Sequence, residues 1–215
     1  MKRAVVSFAN GSYLPKLERM KESMKGMTDA DIVTFTEYKQ VGCKPHNEIP
    51  YQFKPYSIWK AIEMGYDSIL WVDSPIVAVK DITPVFEYIE KNGYVFFNNI
   101  GHPLGKWTTQ KCLDHFKLTR DDAMQMKQIM ASCMGFRIDY GEFNTPLENA
   151  LRDYVQLSDT LYPGSWTDHR HDQTVMSFLI HKYGLDILTA HETFFSYTHF
   201  SDHFKIAESV CLISK

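Results

Sequence analysis

The sequence predicts an α/β protein of three layers, with a mainly parallel central sheet flanked by helices. Three observations carry this. Short apolar, β-rich runs alternate with segments of helical period along most of the chain. One run, Ser68-Ile69-Leu70-Trp71-Val72, reads as a strand buried on both faces. The chain has 215 residues, 44% of them apolar, and no linker or internal repeat divides it. It is therefore read as one domain, 1–215, with a first half of about 1–98 and a second of about 99–215.

Each element follows from local chemistry. Ala4–Ala9 is β-branched and aromatic and stops at Asn10-Gly11, a turn signal. Tyr13–Lys25 places Leu14, Leu17, Met20 and Met24 on one helical face. Asp31–Thr36 alternates as a strand, and 37–52, with Gly42, Pro45 and Pro50, reads as a loop. A helix over Tyr56–Met64 ends at Gly65. After the strand at 68–72, Thr83-Pro84 opens a helix that stops at Asn92-Gly93, before a strand at Tyr94–Phe97.

The second half is less regular. Residues 99–118 are rich in Gly, Pro, Lys and His. Thr119 and Asp122 form a weak capping box. Ala131–Ile138 is a strand interrupted by Gly135, and Pro146–Leu157 is a helix. Asp168 or Asp172 caps the next helix, whose apolar face is Val175, Met176, Leu179, Ile180 and Tyr183. Ile187–Ala190 and Phe194–Tyr197 are short strands.

Composition narrows the function. A net charge of −3 with no long basic stripe predicts no nucleic-acid partner. Four cysteines without a CxxC pair read as reduced thiols in a cytosol-like compartment. The apolar run Ala4–Ala9 is too short for a signal sequence, and no stretch approaches a membrane span.

The chemistry concentrates at three places. Asp73, with Ser74 and Pro75, ends the buried strand at the sheet's carboxyl edge, where open α/β sheets bind ligands. Lys54, in Phe53-Lys54-Pro55-Tyr56, precedes it at a helix start, and His169-Arg170-His171-Asp172-Gln173 opens a later helix. A cation, a strand-end carboxylate and a distal Asp-Gln are the parts that hold a metal, a diphosphate and a sugar.

Lys54-Pro55, the Gly65-Tyr66-Asp67 turn, Leu70-Trp71-Val72-Asp73 and Asp81-Ile82-Thr83-Pro84-Val85-Phe86 together resemble the nucleotide-sugar half of GT-A-fold glycosyltransferases. The likeness extends to the Asn10-Gly11 turn and the late Asp-Gln, and its specific blocks are 53–86 and 168–184. The compact form also resembles an N-terminal glycosyltransferase domain of a multidomain protein from large algal (chlorella) viruses, which leaves room for further domains in a longer chain and implies host cytoplasm.

The resemblance implies transfer of a hexose or deoxyhexose from a UDP-sugar to a glycan acceptor. Residues 1–98 would bind nucleotide and 99–215 the acceptor and donor sugar. Ala9, Asn10, Gly11 and Tyr13 would line the nucleotide pocket, Lys54 would approach the diphosphate, and Ser74, Cys133, Gly135 and His171 would contact the donor. Asp172 and Gln173 would be catalytic; an Asp-Gln at a late helix start resembles retaining members. Mn²⁺ or Mg²⁺ would be held by Asp73 and a late histidine, His199 among His191, His199 and His203. Pro75 occupies the place of the family's second metal-binding Asp and cannot coordinate, so metal dependence stays open.

Plainer readings exist for each residue. Asp-Ser-Pro is a turn string, Asp172 a simple N-cap, Lys54 a solvated cation, and Cys133 a small buried hydrophobe. Two other functions fit the same residues: a metal-dependent hydrolase built on His169, His171 and Asp172, or a nucleotide-sugar binding module without catalysis.

Overall fold

The computed structural model describes residues 1–138, 145–189, 194–197 and 211–214. The chain opens with strand β1 (Arg3–Phe8), a 3₁₀ turn at Gly11–Tyr13 and helix α1 (Leu14–Met24). Pro15 sits in the first turn of α1, where its missing N–H leaves no bond unmade, and Leu17, Met20 and Met24 face the core. Strand β2 (Asp31–Phe35) follows, then the short helix α2 (Tyr38–Val41) inside the stretch expected to be loop.

Helix α3 (Phe53–Glu63) starts three residues earlier than the pattern suggested, because Pro55 lies within its first turn rather than marking its boundary. That shift puts Lys54 on the helix. Strand β3 (Ser68–Val72) is buried at all five positions. A turn closed by the Ile76 N–H donating to the Asp73 carbonyl, 2.9 Å, leads to strand β4 (Ile76–Ala78), which the sequence reading passed over. Pro75 therefore belongs to the turn between two strands.

Helix α4 (Thr83–Asn92) ends at Gly93, whose φ of 89° needs glycine. Strand β5 runs from Tyr94 to Pro103, six residues past its expected end, and Leu104–Trp107 forms a 3₁₀ turn. Helices α5 (Gln110–Phe116) and α6 (Arg120–Met124) follow, the latter with the Thr119–Asp122 capping box closed in both directions. Strand β6 (Lys127–Arg137) starts four residues early. Then come α7 (Pro146–Gln156), α8 (Ser158–Leu161), α9 (His171–Lys182), β7 (Leu188–Thr189), β8 (Phe195–Tyr197) and β9 (Leu212–Ser214).

The main sheet has the order β2-β1-β3-β6-β5-β7. β2, β1 and β3 are parallel, β5 and β7 are parallel, and β6 lies antiparallel between β3 and β5. The sheet thus crosses the division between the two halves of the chain. A small sheet, β4-β9-β8, packs beside it, so the strand expected near Phe194–Tyr197 belongs outside the main sheet.

One core joins the sheet to α3, α7 and α9; the other joins it to α1, α4 and the small sheet. This is the three-layer α/β arrangement, with helices on both faces. All four cysteines are free thiols. Among the described residues no helix is long and apolar enough to cross a membrane.

Candidate functional site

The carboxyl ends of β1 and β3 open into a cleft of about 480 Å³. Its floor is the loop Ala9–Tyr13 and the turn Asp73–Pro75. Its wall is aromatic. Phe8 stacks on Phe53 at 4.6 Å and on Tyr38 at 5.2 Å. Tyr51, at φ 60°, and His46 continue that wall. A tyrosine in the left-handed region is uncommon, and here it brings the ring against the His171 imidazole, 5.5 Å between centroids.

Below this cleft lies the electrostatic centre. The Lys54 ammonium is 2% exposed and donates in three directions: to Asp73 Oδ1 at 3.2 Å, to Asp172 Oδ2 at 2.8 Å and to the Ala131 carbonyl at 3.0 Å. These account for its three protons. Asp73 Oδ1 also accepts from Trp71 Nε1 at 2.9 Å, and Asp172 Oδ2 accepts from the Tyr154 hydroxyl at 3.3 Å. Asp73 keeps 34% of its side chain open and lines the cleft, whereas Asp172 is 3% exposed.

The charges set the protonation. Burial pushes Asp73 above the usual carboxylate range; Lys54 opposes this and the Asp172 charge adds to it. For Lys54 burial is the largest influence and acts downward, but the two carboxylates outweigh it and the ammonium is held above its ordinary value. Two carboxylates sharing one ammonium leave a local excess of negative charge beside the cleft.

The expected site residues divide into three groups. Ala9, Asn10, Gly11, Tyr13, Asp73 and Ser74 lie together in the cleft. Lys54 and Asp172 meet beneath it, so Lys54 is not a cation open to a ligand; it touches the cleft through Asp73. Asp172 is not an N-cap either, since Arg170 holds that position and the Asp172 carboxylate turns inward. Gln173 is not among the residues lining the cleft, and its amide donates to the Ile129 carbonyl at 2.6 Å.

The third group is corrected by the structure. Cys133 is fully buried in the core toward α1 and α4. A Cβ on Gly135 would run into the Ile89 side chain on α4 and come within 2.7 Å of Val95 Cγ1. That glycine serves helix-on-sheet packing, not approach to a donor. What β6 supplies to the site is the Ala131 carbonyl.

His171 and His169 are buried and structural. His171 Nδ1–H donates to the Tyr162 carbonyl and His169 Nε2–H to the Leu161 carbonyl, each at 2.6 Å. Burial pushes His169 down to about 4, so it is neutral at ordinary pH. A hydrolase centre on His169, His171 and Asp172 does not form: both imidazoles are tied to backbone, and no three His, Cys, Asp or Glu converge on a metal position among the described residues. His191, His199 and His203 lie outside the described residues.

Residues that pattern-reading missed are Trp71, which orients Asp73, and the aromatic wall from Tyr38, His46, Tyr51 and Phe53. Trp71 sits in the run that reads as a buried strand, and the pattern does not show that its indole N–H reaches Asp73. The wall comes from a stretch with no period to mark it.

Two solved structures share this fold. The apo structure of the bifunctional glycosyltransferase WbbM superposes with a TM-score of 0.60 at 13% identity, over 99% of this chain and 45% of that one. A glycosyltransferase involved in the glycosylation of the major capsid of PBCV-1 superposes with a TM-score of 0.60 at 12% identity, over 98% of this chain and 93% of that one. The chain thus spans just under half of the first and nearly all of the second. No protein-family model and no curated protein sequence matches it.

Proposed function

We propose that this chain is a glycosyltransferase that moves a hexose or deoxyhexose from a UDP-sugar to a glycan acceptor. The observation that carries this is the placement of Asp73. It ends a central strand, lines an aromatic-walled cleft at the carboxyl edge of the sheet, and shares one buried ammonium with a second carboxylate, Asp172. An aromatic wall suits a nucleobase. A strand-end carboxylate suits the charged diphosphate end of the same ligand.

A divalent ion, Mn²⁺ or Mg²⁺, would be held by Asp73. The two contacts from Lys54 and Trp71 both fall on Oδ1, and the carboxylate borders the cleft. One carboxylate is too small a donor set for a hard cation, which takes six or more oxygens. The residues therefore fit an ion that arrives with the donor, whose diphosphate and waters complete its shell. Once bound it would stabilise negative charge on the leaving diphosphate. A cytoplasmic setting fits the four free thiols.

Lys54 acts through geometry. It fixes both carboxylates and offsets part of their repulsion, so that Asp73 faces the diphosphate and Asp172 stands by the sugar. Retention of configuration is part of this reading, and the commitments of these groups support it. An inverting reaction needs a carboxylate available to take the acceptor's proton. Asp172 is engaged by Lys54 and Tyr154, and Asp73 by Lys54 and Trp71.

The test is thermal stabilisation by UDP with and without Mn²⁺, followed by UDP release from a panel of UDP-hexoses. Stabilisation plus release supports transfer. Stabilisation without release from any donor, with or without acceptors, would leave a binding module. Neither effect would remove the reading.

A further inference from the structure

We infer that Trp166 is the stacking platform for a sugar ring of the acceptor. Trp166 is 63% exposed, among the most exposed large apolar side chains of the molecule. Yet the segment that carries it is tightly held. The Asp168 and His169 N–H groups both donate to the Ser165 carbonyl, at 3.0 and 2.8 Å, and the Ser165 and Thr167 hydroxyls bond at 2.7 Å. The two buried histidines pin the segment's end to the residues of α8 and just beyond, through Leu161 and Tyr162. An exposed indole on an ordered loop is presented, not merely left over.

Its orientation is also set. The Arg170 guanidinium lies over the Trp107 ring at 4.2 Å and over the Trp166 ring at 5.4 Å, bridging the two indoles. The Arg170 backbone is fixed in turn. Its N–H donates to the Trp107 carbonyl at 3.2 Å and to Thr174 Oγ1 at 3.1 Å, and the Thr174 hydroxyl donates to the Trp107 carbonyl at 2.8 Å. One face of Trp166 meets the guanidinium, and the exposed remainder faces water.

The ligand class follows from shape and position. A pyranose has an apolar face of C–H groups that matches an indole, and hydroxyls around its rim that suit neighbouring donors. Arg170 and Asp172 flank His171 at the start of α9. Asp172 turns inward to Lys54, while Arg170 turns out to the indoles. The aromatic cleft that suits a nucleotide is lined by other residues, and neither Trp107 nor Trp166 is among them. A sugar on Trp166 is thus placed as acceptor. That last word rests on the glycosyltransferase reading; saccharide binding does not.

The experiment labels the four tryptophans, Trp59, Trp71, Trp107 and Trp166, with 5-fluorotryptophan in the whole chain and assigns the ¹⁹F lines by Trp→Phe variants. Probes are methyl α-L-rhamnopyranoside, methyl β-D-galactopyranoside, lactose, maltose and cellobiose, and separately UDP with Mn²⁺. At least one saccharide should shift the Trp166 line and leave Trp59 in place. Trp166→Ala should raise KM for that saccharide as acceptor by about tenfold, with Trp166→Phe retaining most of the affinity and UDP-sugar hydrolysis unchanged in both. Saccharides that move no Trp166 line, or a Trp166→Ala variant with wild-type acceptor KM, overturn the proposal. UDP should move the Trp71 line, since that indole holds Asp73; its failure to do so counts against the transferase reading alone.

Discussion

The ammonium of Lys54, in the first turn of α3, and the carboxylate of Asp172, in the first turn of α9, meet at 2.8 Å beneath the cleft. The contact ties two helices that pack on the same face of the central sheet, and its third member, Asp73, is the group that borders the cleft.

Lys54→Met should destabilise the fold by about 3–5 kcal/mol, because it leaves the buried Asp172 carboxylate and the half-buried Asp73 facing each other without a counter-charge. Urea unfolding measures this. Adding Asp172→Asn to that variant should restore part of the loss, by removing the repulsion. A Lys54→Met chain as stable as wild type would show that the triad contributes nothing to stability.

Asp73→Asn should keep the fold, since the amide oxygen still accepts from Trp71 and Lys54, yet lower UDP affinity in Mn²⁺ by tenfold or more, roughly the loss of one charged contact. Calorimetric titration with UDP, with Mn²⁺ and with EDTA, reads it directly. Because burial holds the Asp73 carboxyl above its usual range, metal-dependent binding in the wild type should also weaken on acidification before an ordinary aspartate would protonate. Equal affinity in the variant would exclude Asp73 as the ion's ligand.

Asp172→Asn should reduce UDP-sugar hydrolysis by orders of magnitude while UDP affinity changes little. On the proposed reading Asp172 acts on the anomeric centre, where a carboxylate stabilises positive charge that exists only in the transition state, so its loss should appear in kcat. Hydrolysis needs no acceptor, which makes the assay independent of the acceptor's identity. Wild-type rates in the variant would confine Asp172 to structure.

Acid should unfold this protein early, and His169 should be a chief cause. Its folded value is about 4, against 6.5 for an ordinary imidazole. The unfolded chain therefore binds the proton more readily between those values. The His169 contribution to stability is fully present above about pH 6.5 and falls by up to about 3 kcal/mol as pH drops toward 4. His169→Gln, which keeps a donor for the Leu161 carbonyl but does not titrate, should flatten that slope. An unchanged slope would assign the acid sensitivity to other groups.

Gly135→Ala should cost about 1–3 kcal/mol through overpacking against Ile89, with UDP binding unaltered. Combined with Ile89→Val, the loss should be smaller than the two single losses together. A Gly135→Ala variant of full stability that lost UDP would return the glycine to the donor site.

Much of this architecture was legible because it is local. The near-continuous apolar run of β3 declared a buried strand, and α4 was bracketed by Pro84, which fixes φ at its start, and Gly93, which accepts the positive φ at its end. Asp73 could be singled out because a carboxylate after such a strand has only the sheet edge to occupy. The meeting of Lys54 with Asp172 could not be read, since it depends on how α3 and α9 are set side by side on one face of the sheet. Pro55 hid the true start of α3, and nothing in the pattern showed that Lys54 is buried against two carboxylates rather than open to a diphosphate. β4 and β9 escaped because three-residue strands in a side sheet carry too little period. Gly135 misled because a glycine in a strand signals close approach without saying by what; here the visitor is Ile89.

The reversed strand β6 governs the order in which the molecule can assemble. It fills the slot between β3 and β5, pairing Leu70 with Gly135 on one side and Val95 with the same residue on the other. Both neighbours precede it in the chain, and in the native sheet each is joined to the other only through it. Closing those long intervals costs entropy before the ladder repays it. During synthesis β1, β2 and β3 can pair in turn, but the Ala131 carbonyl that receives Lys54 emerges only with β6, and Asp172 later still. The charged centre therefore draws on segments from both halves of the chain, and no part of the chain ending before α9 contains all of it.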